Sequence, residues 1–203
     1  MVEPYRLSFT TGGLFLNESV DAAQRYMQMG SWTLVRDALR SENALQVRTA
    51  AAALRMSKEV VARLETLSQD EIGFLVGCSV ADQAHLLWSA VCRRYVLVRD
   101  FARDVLRERF VLMRRKLQLS DYDAFYNQKA LWHPELDALA PSTQSKLRQN
   151  LFRMMREAGY INAQHDITSA LLSSALASLL VRQGADALLV YPVSDADIKR
   201  WLS

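Results

Sequence analysis

Seven glycines and four prolines in 203 residues are too few to turn a chain every ten residues. A sandwich or barrel of short strands is therefore excluded, and a mostly helical chain is expected. Half of the residues are hydrophobic and 23% are charged, which supplies a buried core and rules out disorder as the main state. A serine followed three residues later by an acid recurs at Ser68/Glu71, Ser79/Asp82, Ser120/Asp123 and Ser194/Asp197. The hydroxyl can satisfy a free amide of the first helical turn, so each pair marks a helix start. Amphipathic spacing predicts helices at 18–29, 31–41, 44–55, 58–67, 69–76, 80–117 (with room for a break), 121–131, 143–158, 167–182 and 195–202. The strand candidate is the apolar run Ala187–Val193. The expected fold class is all-α, with room for one short β wing.

Charge is distributed unevenly. The formal net charge is +3, and 20 of the 25 cations are arginine. Arginine is the better bidentate partner for phosphate and carboxylate, so the skew fits an anionic partner as well as structural ion pairs. Leu86 to Lys116 holds nine cations and three acids, whereas Asp121 to Asp137 holds four acids and one lysine. The boundary between them predicts an N-terminal helical domain at 1–119 and a C-terminal domain at 120–203.

Thr49 to Leu67 has the order of a helix-turn-helix, within a predicted element near 44–67. Ala52, Ala53 and Leu54 would close one helix, Arg55, Met56 and Ser57 would turn, and Val60, Val61, Leu64 and Leu67 would face inward on the next. Its outward face would carry Lys58 and Arg63. A plain αα-hairpin reads the same residues equally well.

Pro141 to Tyr160 encodes a four-turn helix, with Ser142 as the expected N-cap and Gly159 as the terminating residue. Opposite an inner stripe of Leu147, Leu151, Met154, Met155 and Ala158 lie Ser145, Gln149, Phe152 and Arg156, flanked by Lys146 and Arg153, with Arg148 at the edge. Such side chains reach phosphates and base edges from a recognition helix, which makes 143–158 the reading helix of a winged-helix-like module. The alternative is a solvated helix face. An aromatic at Phe152 among arginines is also a usual anchor for a protein partner, unless it packs against the other half of the chain.

Along Arg99, Arg103 and Arg107 the acids Asp100, Asp104 and Glu108 follow one step behind, which predicts i,i+3 pairs Asp100–Arg103 and Asp104–Arg107. The unpaired Arg93, Arg94, Arg114, Arg115 and Lys116 are then the better nucleic-acid candidates. Histidines 85, 133 and 165 stand in no metal-ligand or nucleophile motif, so neither a catalytic residue, a metal nor a cofactor is expected. Cys78 and Cys92 make no disulfide framework, which fits a reduced, cytoplasmic chain. Ile167–Val181 is the most lipid-like stretch, but at 15 residues with five hydroxyls it is too short and polar to span a bilayer.

Five segments, SFTTGGLFLNES (8–19), 31–67, 86–110, DAFYNQKALWHPEL (123–136) and STQSKLRQNLFRMMREAGYI (142–161), together resemble the BrxA family of BREX bacteriophage-exclusion systems. Most of the weight falls on Gly12-Gly13-Leu14, Glu59–Leu67, Trp132-His133-Pro134 and Lys146–Gly159. The resemblance implies a monomeric all-helical globule with two helix-turn-helix elements beside positive surfaces. It also implies double-stranded DNA binding without catalysis, within a defence system that methylates host DNA. The candidate DNA contacts are Lys58, Arg63, Arg114, Arg115, Lys116, Ser145, Lys146, Arg148, Gln149 and Arg153. Site selection would rest with partners such as the BREX methyltransferase. An interaction scaffold within the defence complex is the competing expectation.

Overall fold

A computed structural model describes residues 3–10, 12–41 and 49–203. The fold is all-α: α1 (Leu16–Met29), α2 (Trp32–Ser41), α3 (Ala50–Leu64), α4 (Gln69–Gly77), α5 (Val80–Arg94), α6 (Val96–Phe101), α7 (Glu108–Val111), α8 (Leu119–Ala130), α9 (Pro134–Asp137), α10 (Pro141–Glu157), α11 (Ser174–Val181) and α12 (Asp195–Leu202). A π-helical turn, Ala102–Arg107, joins α6 to α7, and a 3₁₀ turn, Ala185–Leu188, follows α11.

Serine caps open several of these helices. Ser68 and Glu71 form a reciprocal capping box on α4, while Ser79 and Ser194 cap α5 and α12 by accepting from Asp82 N and Asp197 N. The expected start at Ser120 lies two residues too late, because Gln118 caps α8 and Asp121 occupies the third helical position. Pro141 takes the first position of α10 after Ala140, ahead of the expected Ser142. Gly159 follows that helix at φ 76°, the left-handed terminator expected there.

Further expectations are corrected. The turn predicted at Arg55–Ser57 is absent, since α3 runs unbroken through it. Leu54, Arg55 and Met56 are good helix formers with no Gly or Pro among them, and the Ser57 hydroxyl donates back to Leu54 O at 3.2 Å instead of capping. Residues 44–48 of that expected element lie outside the described residues. Ala187–Val193 is not a strand. Its apolar side chains Leu188, Val190, Tyr191 and Val193 are buried in the core, and its carbonyls accept from Trp88 Nε1 (at Val190) and Ala170 N (at Pro192). The helix expected from 167 begins only at Ser174, capped by Ser173, because Ile167 and Thr168 extend alongside residues 160–161.

The long helical stretch 80–117 is broken at Tyr95 (φ −122°, ψ 96°). The π turn that follows abolishes the expected intrahelical pairs by changing the angular step per residue. Asp100 and Asp104 bind Lys129 of α8 at 3.2 Å each, and Arg107 binds Asp195 of α12. Buried side chains from both halves of the sequence join one continuous core around Trp88, Tyr95, Phe101, Tyr160 and Tyr191. Among the described residues no helix is long and apolar enough to cross a membrane.

Candidate nucleic-acid interface

α10 is held by a buried arc of Leu147, Asn150, Leu151, Phe152, Met154, Met155 and Ala158. Asn150, nearly fully buried, donates Nδ2 to Phe9 O at 2.9 Å, so a polar core position is satisfied rather than wasted. The remaining arc, about 120° wide at 100° per residue, presents Ser145, Lys146, Gln149, Arg153 and Arg156 to solvent. Phe152 is 2% exposed and lies 5.1 Å from the His165 ring and 6.5 Å from that of Phe101. It packs inside the chain, so it is no anchor for a partner.

The free cations are fewer than the sequence suggests. Lys146 is exposed, with no ion-pair partner among the described residues. Arg148 instead places Nη1 at 2.7 and 2.8 Å from both carboxylate oxygens of Asp123, which ties α10 to α8. Arg153 donates Nε to Glu157 at 2.7 Å yet remains more than half exposed. Glu157 also accepts from Leu14 N at 2.5 Å, and any Cβ at Gly13 would stand 2.0 Å from its Oε2. A side chain at 13 would have to push the Glu157 carboxylate aside.

After α10 the chain reverses over Ile161–Ile167, which pair in an antiparallel bridge. Asn162 Oδ1 accepts from Gln164 N and Asp166 N and holds the turn. Lys116, ahead of α8, bridges to Asp166, and Leu117 N donates to His165 O at 3.0 Å. The basic run 114–116 is thus brought beside the turn that follows α10. Arg114 is exposed; the Arg115 guanidinium sits 4.5 Å from the Phe110 ring centroid; Lys116 Nζ pairs with Asp166 at 3.2 Å.

Two candidates do not belong to this surface. Arg63 is 1% exposed, pairs with Glu59 at 2.7 Å and donates Nη1 to Gly13 O at 2.6 Å. It is a core residue, because without the expected turn α3 rotates it inward. Lys58 is exposed on α3, a different helix from α10. Arg93, also thought free, grips the buried Glu71 at 2.6 and 2.8 Å. The surface residue that the candidate DNA contacts omitted is Arg156, exposed on the same face with Nη1 3.4 Å from His165 Nε2.

The histidines are scattered. His85 is buried against Tyr160, Nδ1 to hydroxyl at 2.9 Å, and burial holds its pKa below the ordinary imidazole value against the pull of Asp82. His133 stacks on Tyr5 at 3.9 Å and meets Glu135 at 2.9 Å. Among the described residues no three His, Cys, Asp or Glu side chains gather to hold a metal.

In class this is an all-helical protein that exposes one basic helix face next to a short extended turn. The BrxA family model matches residues 3–184, and the chain belongs to that family. BREX protein BrxA of Paramagnetospirillum magneticum strain AMB-1 is 28% identical over 162 residues, 79% of this chain and 81% of that protein. BREX protein BrxA of Escherichia coli O9:H4 strain HS is 27% identical over 120 residues, 59% and 56% of the two chains. The Bacillus cereus strain H3081.97 relative of the same name is 29% identical over 133 residues, covering 64% and 65%. The crystal structure of an uncharacterized protein from Magnetospirillum magneticum superposes with a TM-score of 0.78 over 94% of this chain and 98% of that one, at 24% identity, and so shares the fold.

Proposed function

We propose that the chain is a cytoplasmic, monomeric, non-catalytic accessory protein of BREX phage defence that binds double-stranded DNA. α10 is its reading helix, and its contacts are mainly to phosphates. The observation that carries this reading is the exposed arc Ser145, Lys146, Gln149, Arg153 and Arg156 beside the basic run 114–116. The order of elements supports it: extended Lys116, α8, α10, then the bridged turn 161–167, the sequence of parts in a winged helix. The wing falls at 161–167 in this reading, not at 187–193. One glutamine and one half-exposed serine give little capacity for base recognition, so affinity is of the non-specific class, on the order of 10⁻⁴ to 10⁻⁶ M at physiological salt. Site selection then belongs to a partner such as the BREX methyltransferase.

Reversing charge at Lys146 and Arg153 together is expected to weaken binding to random duplex DNA several-fold. An unchanged curve would move the site to Arg114–Lys116. One observation favours the scaffold reading: Leu131 and Trp132, adjacent after α8, are 77% and 73% exposed. Trp132→Ala that abolishes association with purified BREX proteins while leaving duplex binding intact would support it.

A further inference from the structure

The turn after α10 contributes a histidine to the basic face. His165 sits at φ +62° in the Asn162-held turn, its ring stands against Phe152, and its Nε2 lies 3.4 Å from Arg156 Nη1. A guanidinium carries donors only, so in a hydrogen bond between the two Nε2 is the acceptor. Protonating Nε2 would remove that acceptor and set two cations side by side on an exposed surface. An anion between them would then be favoured by both.

Resting on the duplex-binding reading, we infer that Arg156 and His165 form a phosphate-binding pair at the C-terminal end of the α10 face, and that duplex binding takes up one proton there. The proton is drawn from solvent to His165 Nε2; no covalent bond changes. The neighbouring charges are Asp166 of the same turn, which interacts with His165, and Lys116 of the segment before α8, which pairs with Asp166. Hydrogen bonds from Asn162, then Lys116, hold the Asp166 carboxyl below its ordinary range, so it stays ionised wherever an imidazole titrates. The other two histidines are buried, His85 against Tyr160 and His133 against Tyr5.

The test is binding of the full chain to random duplex DNA between about pH 7.5 and 5.5, where histidine ordinarily changes charge. Calorimetry in buffers of different ionisation heat counts the protons taken up. Affinity is expected to rise on acidification, and the slope of log K against log salt to steepen by about 0.9, one added phosphate contact. His165→Asn, a residue that tolerates positive φ, should bind with no such pH dependence. Duplex binding without proton uptake overturns this inference alone, as does pH dependence that persists in His165→Asn. Absence of duplex binding at every pH defeats the reading on which the inference rests, and the inference with it.

Discussion

Arg63 and Glu59 form an ion pair one helical turn apart inside α3, with Nε to Oε1 at 2.7 Å and almost no solvent on either side chain. Tyr95 also donates its hydroxyl to Glu59, and Arg63 holds the carbonyl of Gly13, so the pair ties α3 to the break between α5 and α6 and to the N-terminal segment. Removing one partner leaves the other charge buried and uncompensated. Arg63→Met is therefore expected to destabilise the chain by about 3–5 kcal/mol in urea unfolding, with Glu59→Gln/Arg63→Met recovering much of the loss. A single variant as stable as the parent would place Arg63 at the surface.

Phe152 tests whether the α10 face is polar throughout. Phe152→Ala should cost about 3–5 kcal/mol, the cost of emptying a packed aromatic site. Trp132→Ala, at an exposed position, should stay within about 0.5 kcal/mol of the parent. The reverse ranking would mean that Phe152 faces outward.

Acid sensitivity should report the Glu71–Arg93 pair. Burial alone would raise the Glu71 carboxyl, but hydrogen bonds from Arg93 and from Ser68 N outweigh it and hold the carboxyl below its ordinary range. A carboxylate depressed in the folded state adds stability above its unfolded pKa, about 4.3, and loses it as pH falls through the folded value. Urea unfolding followed downward from about pH 6 should show a steeper loss below that unfolded value in the parent than in Glu71→Gln. Parallel curves would deny the pair its role.

These residues also show what the sequence could convey. Caps at Ser68, Ser79 and Ser194 were legible because a cap is a contact within four residues. The turn at Arg55–Ser57 was misread because a serine in a helix can bond its own backbone three residues back, and sequence spacing does not distinguish that from capping. Arg148, Arg93 and Lys116 read as free because their acids lie 25, 22 and 50 residues away. Arg156 and His165 meet only once the chain has reversed over 161–167. Core placement of Phe152 needed the same long-range information, since its partner Phe101 belongs to another helix.

The central claim is that the exposed arc of α10 binds duplex DNA through phosphates. A salt series on random duplex, with the parent and Lys146→Glu/Arg153→Glu side by side, tests it most directly. The parent's log K should fall linearly with log salt, about 0.9 per phosphate contact, and the double variant should bind more weakly with a slope flatter by about 1.8. A parent whose affinity ignores salt, or a variant whose slope matches the parent's, would contradict it.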